Sequence, residues 1–204
     1  MKGYLITVEG PDGSGKSTQA HLLAEHLGAI YTREPGGTVL GERLRDMVLD
    51  TEGQDPCDRA EALMIAAARA QHVAKVVLPA LQNGKTVVSD RFIESSIAYQ
   101  GYGRELGPEE VLGVSLFATE GLQADLVVLI DVEAPLAVNR LGENLDRIEQ
   151  AGNDFHNRVM TAYRSMAISD PNRWVVVDGS GTVSEVSKKV IEEVKRRKVI
   201  NERT

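Results

Sequence analysis

Cysteine is nearly absent: Cys57 is the one thiol in 204 residues. A single thiol excludes an intrachain disulfide and leaves no thiolate cluster for zinc, so Cys57 reads as a small, half-buried side chain. Positive charge is short as well. Lysine and arginine total 23 against 30 acidic residues, a net charge of −7. That excludes a surface built as a whole to coat nucleic acid or an anionic membrane. No apolar run reaches bilayer-crossing length, and the first residues pass into a strand-like run with no signal-peptide pattern. Repeats, low-complexity tracts and Pro/Gly/Ser linkers are missing too. The expectation is a cytoplasmic enzyme, one domain over residues 1–204, with no membrane or nucleic-acid partner. Any phosphate-bearing ligand must be met by local arginines and lysines.

What is present begins at Tyr4-Leu-Ile-Thr-Val-Glu9, an apolar, β-branched run. It leads into Gly10-Pro11-Asp12-Gly13-Ser14-Gly15-Lys16-Ser17-Thr18, which contains the full phosphate-loop pattern G-x-x-x-x-G-K-[ST]. Leu22, Leu23 and Leu27 then mark a helix. Strand, glycine loop and helix in that order is the context the pattern requires. Glycines let several backbone N–H groups turn toward one anion, and the helix start adds free donors and partial positive charge. Lys16 is a mobile cation for β- and γ-phosphates, and the Ser17 hydroxyl suits a Mg²⁺ shell. Residues 10–18 predict a nucleoside triphosphate site.

Five strand-like runs alternate with helical patterns: Leu5–Val8, Ala29–Thr32, Thr86–Ser89, Leu126–Asp131 and Trp174–Val177. All but the second are continuously apolar or β-branched, as strands buried on both faces of a parallel sheet are. Helices are expected over Val39–Leu49, Asp58–Gln82, Ile93–Gly101, Pro108–Glu120, Ala134–Leu141, Asp154–Ser169 and Val183–Lys198. Asp58 is the expected cap of the long one and Asn83-Gly84 its stop. The pattern is an α/β, doubly wound five-stranded parallel sheet, with ligands at the carboxyl ends of the strands.

Polar clusters fall at those ends. The second strand runs into Thr32-Arg33-Glu34-Pro35-Gly36-Gly37-Thr38, a binding loop or a turn into the next helix. The third ends in Ser89-Asp90-Arg91, followed by Ser95, Ser96, Tyr99 and Gln100. Asp90 is placed to hold Mg²⁺ directly or through water, and Arg91 to clamp a phosphate with its planar fork. Arg69 lies in an almost unbroken apolar run, where a charge is costly without a partner. It either pairs internally with Glu61 or Asp58, or faces a ligand. The polar stretch 139–149 carries Arg140 and Arg147. It suits a lid over about residues 140–152 that folds over bound phosphates, or a solvated connection between helices. The basic run Lys195–Lys198 complements a helix dipole.

In order and spacing, GPDGSGKST, TREPGGT, the helix carrying Arg69, DRFIESSIAYQGYGR and LDRIE resemble the thymidylate kinases, nearest the bacterial-type members, over about residues 3–180. The resemblance implies a P-loop nucleotide kinase fold with a short lid, transfer of the γ-phosphoryl of ATP to dTMP with Mg²⁺, and a homodimer. It also implies roles. Asp12 meets the sugar 3′-hydroxyl, and Glu34 and Arg45 line the monophosphate pocket. Arg69 donates to the 4-carbonyl of thymine, which rejects cytosine because its 4-amino group is itself a donor. Arg91 clamps the acceptor phosphate. Ser95, Ser96 and Gln100 contact base and phosphate, and Tyr99 crowds out a ribose 2′-hydroxyl.

Two positions depart from the family pattern. Ile65 stands where the family stacks thymine on a phenylalanine, removing ~0.5–1.5 kcal/mol of ring-specific packing. This opens an alternative, a kinase for another pyrimidine monophosphate such as dUMP. Gly13 stands where eukaryotic members carry arginine, so the resemblance implies a catalytic arginine from the lid, Arg140 first and Arg147 next. The expected chemistry is in-line phosphoryl transfer. Lys16, Mg²⁺ and a lid arginine neutralise the moving group, while Arg91 and Arg45 hold the attacking oxygens. The acceptor phosphate is largely ionised near neutral pH, so no general base is required. A non-catalytic nucleotide switch is the alternative outside enzymes. The chain carries no Asn-Lys-x-Asp segment for guanine, and a switch has no use for Arg45, Arg69 and Arg91.

Overall fold

The strand β1 (Leu5–Glu9) buries all five of its residues, and its neighbours in sequence point to opposite faces. Leu5 joins one core with Val87, Val127 and Tyr163, and Ile6 joins a second with Leu23, Val88, Leu126 and Val190. A strand wetted on neither face needs helices above and below it. The computed structural model, which describes residues 3–53, 55–142 and 145–197, has that layout. After β1 come α1 (Lys16–Leu27), β2 (Ile30–Arg33), α2 (Val39–Leu49) and α3 (Asp58–His72). A π-helical turn, Val73–Val77, joins α3 to α4 (Leu78–Gln82), and β3 (Val87–Asp90) follows. Then come α5 (Ile93–Ser96), a second π-helical segment Ile97–Gly103, α6 (Pro108–Thr119) and β4 (Leu126–Asp131). The chain closes with α7 (Ala134–Arg140), α8 (Asn153–Ser169), β5 (Trp174–Asp178) and α9 (Val183–Arg196). All strands are parallel, in the order β2-β3-β1-β4-β5. Among the described residues no helix is long and apolar enough to cross a membrane.

The order puts β1 between β3 and β4, so the phosphate loop leaves the middle of the sheet. The loops after β2 and β3 open on one side of it. The register Val8↔Asp90 and Arg33↔Asp90 brings three strand ends level.

Local differences from the sequence expectation have local causes. The single helix over 58–82 is interrupted, because a π turn widens the backbone at Val73–Val77 before Pro79 enters α4. Cys57, not Asp58, occupies the cap position of α3, and it is exposed rather than half-buried. Asn83 closes α4 and Gly84 follows at φ 73°, as the stop signal predicts. β5 is an edge strand, so Val176 is 53% exposed despite its apolar neighbours. The helix read as Ile93–Gly101 runs to Gly103 through the π segment, where Arg104 N donates to Tyr99 O five residues back. α9 ends at Arg196; Lys198, and residues 143 and 144 of the expected lid, lie outside the described residues.

Candidate active site

The phosphate loop needs glycine for two reasons. Gly10 sits at φ 149°, and a Cβ there would stand 2.7 Å from the Ile130 carbonyl oxygen. Gly13, at φ 77°, lies against α7, where a Cβ would meet the Ala137 carbonyl oxygen at 2.1 Å. The backbone of α7 therefore fills the direction a side chain at position 13 would take. Lys16, 7% exposed, turns back across the loop to Asp12 Oδ1 at 3.2 Å and Pro11 O at 3.4 Å. Burial and then the nearby charge of Arg91 lower its pKa.

Arg91 follows β3 in the left-handed region, at φ 72°. That turn sends its side chain back toward the phosphate loop. Nη1 donates to Gly10 O at 3.2 Å, Ser95 Oγ at 3.0 Å and Tyr163 OH at 3.3 Å. Nη2 donates to Tyr99 OH at 3.1 Å and to Asp12, and the guanidinium lies 4.8 Å from the Tyr99 ring centre. Tyr99 OH in turn donates to Asp12 Oδ2 at 2.7 Å. Burial alone would raise the Asp12 pKa, yet Arg91 and Lys16 hold the carboxyl well below its usual range. Asp12 thus touches the cation of the phosphate loop and the cation after β3 together.

Beneath Arg91 lies Glu9, fully buried. It accepts from Phe92 N at 2.8 Å, Ser95 Oγ at 2.6 Å and Tyr163 OH at 3.1 Å. Burial, followed by the charge of Glu94, pushes its carboxyl up to about 8 against the pull of Ser95 and Arg91.

The base of the site is a second ionic cluster. Arg69, 1% exposed, donates Nε to Glu34 Oε2 at 2.7 Å. Its other nitrogens donate to Ser115 Oγ at 3.1 Å, Phe92 O at 2.9 Å and Ser96 Oγ at 3.1 Å. The internal partner is therefore Glu34 from the loop after β2, not Glu61 or Asp58. His72, one turn along α3, bonds Glu34 Oε1 at 2.8 Å and Thr32 Oγ1 at 2.6 Å. Desolvation opposes ionisation of Glu34, but Arg69 and His72 lower its pKa overall. Arg45 donates to Pro35 O at 3.1 Å.

Two adjoining cavities result. One is lined by Asp12, Glu34, Arg45, Ile65, Arg69, Arg91, Ser95, Ser96, Tyr99 and Gln100, with Pro35, Leu49, Asp146 and Ile148 completing the wall. The other is lined by Gly13, Lys16, Ser17 and Asp90, and shares Asp12, Glu34, Arg45, Arg91 and Asp146 with the first. Asp90 Oδ1 is buried with no hydrogen-bond partner. With the Ser17 hydroxyl on the same cavity, it forms a hard oxygen pair that fits a divalent cation whose other ligands are phosphate and water. Arg140 is on the far side of the loop, donating to Gly179 O at 3.0 Å and Ser14 O at 3.5 Å. There it lines a third cavity with Ser14, Gly15, Thr18 and Val183. Arg147 lines neither cavity beside the phosphate loop. It donates Nε to Val48 O at 2.9 Å and pairs with Glu61, which also accepts from Gln100 and Arg104.

Glu9, His72, Glu61, Arg104 and Tyr163 support the site without having been candidates for it on sequence grounds. His72 carried a signal, its i+3 spacing from Arg69, and Glu9 carried another, a lone charge ending a buried strand. The others are connected only by the fold.

A family model described as "Thymidylate kinase" matches residues 8–190. Among similar proteins, a thymidylate kinase of Leifsonia xyli subsp. xyli is 48% identical over 196 residues, covering 92% of each chain. One from Bifidobacterium longum subsp. infantis is 45% identical over 194 residues, 91% of this chain and 83% of the relative. A crystal structure of thymidylate kinase from Ehrlichia chaffeensis superposes with a TM-score of 0.77 at 32% identity, covering 95% of this chain and 99% of that one.

Proposed function

Because the chain belongs to the thymidylate kinase family, we propose that the cavity lined by Ile65, Arg69 and Gln100 holds dTMP and that the phosphate loop presents ATP to it. The enzyme transfers the γ-phosphoryl group of ATP to dTMP, giving dTDP and ADP. One observation carries the assignment of sites: Asp12, Glu34, Arg45, Arg91 and Asp146 line both cavities. A phosphate held by Arg91 and Arg45 in the first cavity faces one held by Lys16 in the second, the arrangement in-line transfer requires.

Each side chain then has a task. Asp12 fixes the spacing of Lys16 and Arg91 by bonding both, and remains ionised to accept from the sugar 3′-hydroxyl. Tyr99, held over Asp12, crowds the 2′ position. Ser95 and Ser96 border the acceptor. Arg69 donates to the 4-carbonyl of thymine, its orientation set by Glu34. Gln100 gives its amide N–H to Glu61, which leaves its carbonyl oxygen to accept from the base. Ile65 supplies apolar contact to the ring. Gly10–Thr18 cradle the triphosphate, and Arg140, which ends α7 beside Ser14 where the proposed lid begins, is the arginine that neutralises the group in flight. Ser17 and Asp90 are the residues to hold Mg²⁺, which when bound offsets charge on the β- and γ-phosphates. The acceptor is ionised already, so no proton must be removed.

The proposed assembly is a homodimer. Leu63 on α3 and Val114 and Phe117 on α6, neighbouring helices, are exposed apolar side chains, Phe117 at 89%. The proposed location is cytoplasmic, where both nucleotides are available. With ATP labelled at the γ-phosphate, the label is expected in dTDP in one-to-one yield with ADP. ADP formed without labelled dTDP overturns the proposal.

A further inference from the structure

The polar stretch 139–149 offers Arg147 either to a lid over phosphates or to a solvated connection, and its guanidinium takes neither place. Its guanidinium lies between Val48 O, which accepts from Nε at 2.9 Å, and the carboxylate of Glu61. Its backbone N–H reaches Leu49 O at 3.3 Å. Glu61 is fully buried, and it also takes Gln100 Nε2 at 2.8 Å and Arg104 Nη2 at 3.0 Å. One carboxylate therefore joins three pieces of chain: α3, the π-helical segment and the turn carrying Arg147. That turn is tightly made. Asp146 Oδ1 accepts from Ile148 N and Glu149 N, each at 2.9 Å, and Glu149 Oε2 accepts from Asp146 N at 2.9 Å. Directly after Arg147, Ile148 lines the acceptor cavity with Ile65 and Leu49 and is 8% exposed. Asp146, directly before it, lines both cavities.

We propose that Arg147 is a positioning residue for the acceptor, not a catalytic one: through Glu61 and Val48 it latches the 145–150 turn so that Ile148 and Asp146 form a wall of the nucleotide cavity. This rests on reading that cavity as the dTMP site. A buried carboxylate serving two guanidiniums and an amide is costly unless each is in place, so loss of Arg147 frees the turn and disturbs Gln100 together. It leaves Lys16, Arg91 and Arg140 where they are. The consequence is a defect in acceptor binding, with the transfer step spared.

The experiment measures kcat and KM for both substrates in the full chain with Arg147→Met and Arg147→Lys, alongside calorimetric titration with dTMP alone. Arg147→Met is expected to raise the KM and Kd for dTMP tenfold or more, with kcat and the KM for ATP within threefold of the parent. Arg147→Lys, which keeps the charge but loses the fork, is expected to recover part of the dTMP affinity. It also supplies the readout if the methionine variant fails to fold. A fall in kcat of a hundredfold or more with the KM for dTMP unchanged overturns the proposal, as does a variant with every constant unchanged. Parent enzyme that turns over no dTMP overturns instead the reading of the cavity.

Discussion

Arg69 carries a full charge into a site with 1% exposure, and each of its nitrogens has a partner there. A charge in such a place was legible as an anomaly from its apolar neighbours; its partner was not. Glu34 lies 35 residues away and arrives only because β2 ends level with β3. Arg69→Met strands Glu34 beside His72 in a buried site. It is expected to lower the unfolding free energy by about 3–5 kcal/mol, measured by denaturant titration, and to weaken dTMP more than ATP. An unchanged midpoint would show the pair is not buried as described. Glu9 behaves in the opposite sense. Its carboxyl titrates near 8 in the fold against 4.5 when unfolded. The folded chain therefore holds a proton that the unfolded chain has released, and stability from this group falls as pH rises from about 4.5 to 8. Asp12 and Glu34, with lowered pKa values, lose their contribution only toward acid. The melting temperature of Glu9→Gln is thus expected to gain on the parent between pH 5 and pH 8.5; a constant gap would place the carboxyl's titration outside that window.

At the scale of elements, the strands were the most legible part, since a run such as Leu126–Asp131 buried on both faces writes itself in consecutive apolar residues. The π-helical segments were not, because one extra residue in a turn leaves no period to read. Yet the second such segment carries Tyr99 and Gln100 into the cavity. The contact of the phosphate loop with α7 was equally hidden. Gly13 was visible as a missing arginine, and the structure shows why nothing larger fits: the Ala137 carbonyl is in the way. Gly13→Ala, strained at φ 77° and pressed on α7, is expected to cost about 1–3 kcal/mol of stability. Because α7 ends at Arg140, it should also lower kcat more than it raises the KM for dTMP. Equal losses in kcat and in dTMP affinity would contradict the proposed link between α7 and transfer.

For the molecule as a whole, fold class and reaction were legible because short, specific stretches fall at the ends of β1, β2 and β3, and the sheet brings those ends together. What the chain could not display was how the two cavities meet, since Asp12, Arg45 and Asp146 are far apart in sequence and share a wall only in the fold. The exposed apolar face of α3 and α6 belongs to this scale too. If the proposed homodimer forms through that face, Phe117→Asp is expected to shift the sedimentation profile from dimer to monomer at micromolar concentration, and an unchanged profile would contradict the proposed contact. The central claim, that Arg69, Tyr99 and the Ile65 wall select thymidine monophosphate, is tested most directly by kcat/KM with ATP and Mg²⁺ for dTMP, dUMP, UMP and dCMP side by side. The order dTMP, dUMP, UMP, dCMP is predicted, with dUMP about 10- to 200-fold below dTMP, the worth of one methyl group in an apolar pocket. Turnover of dTMP no faster than that of the other three would contradict it.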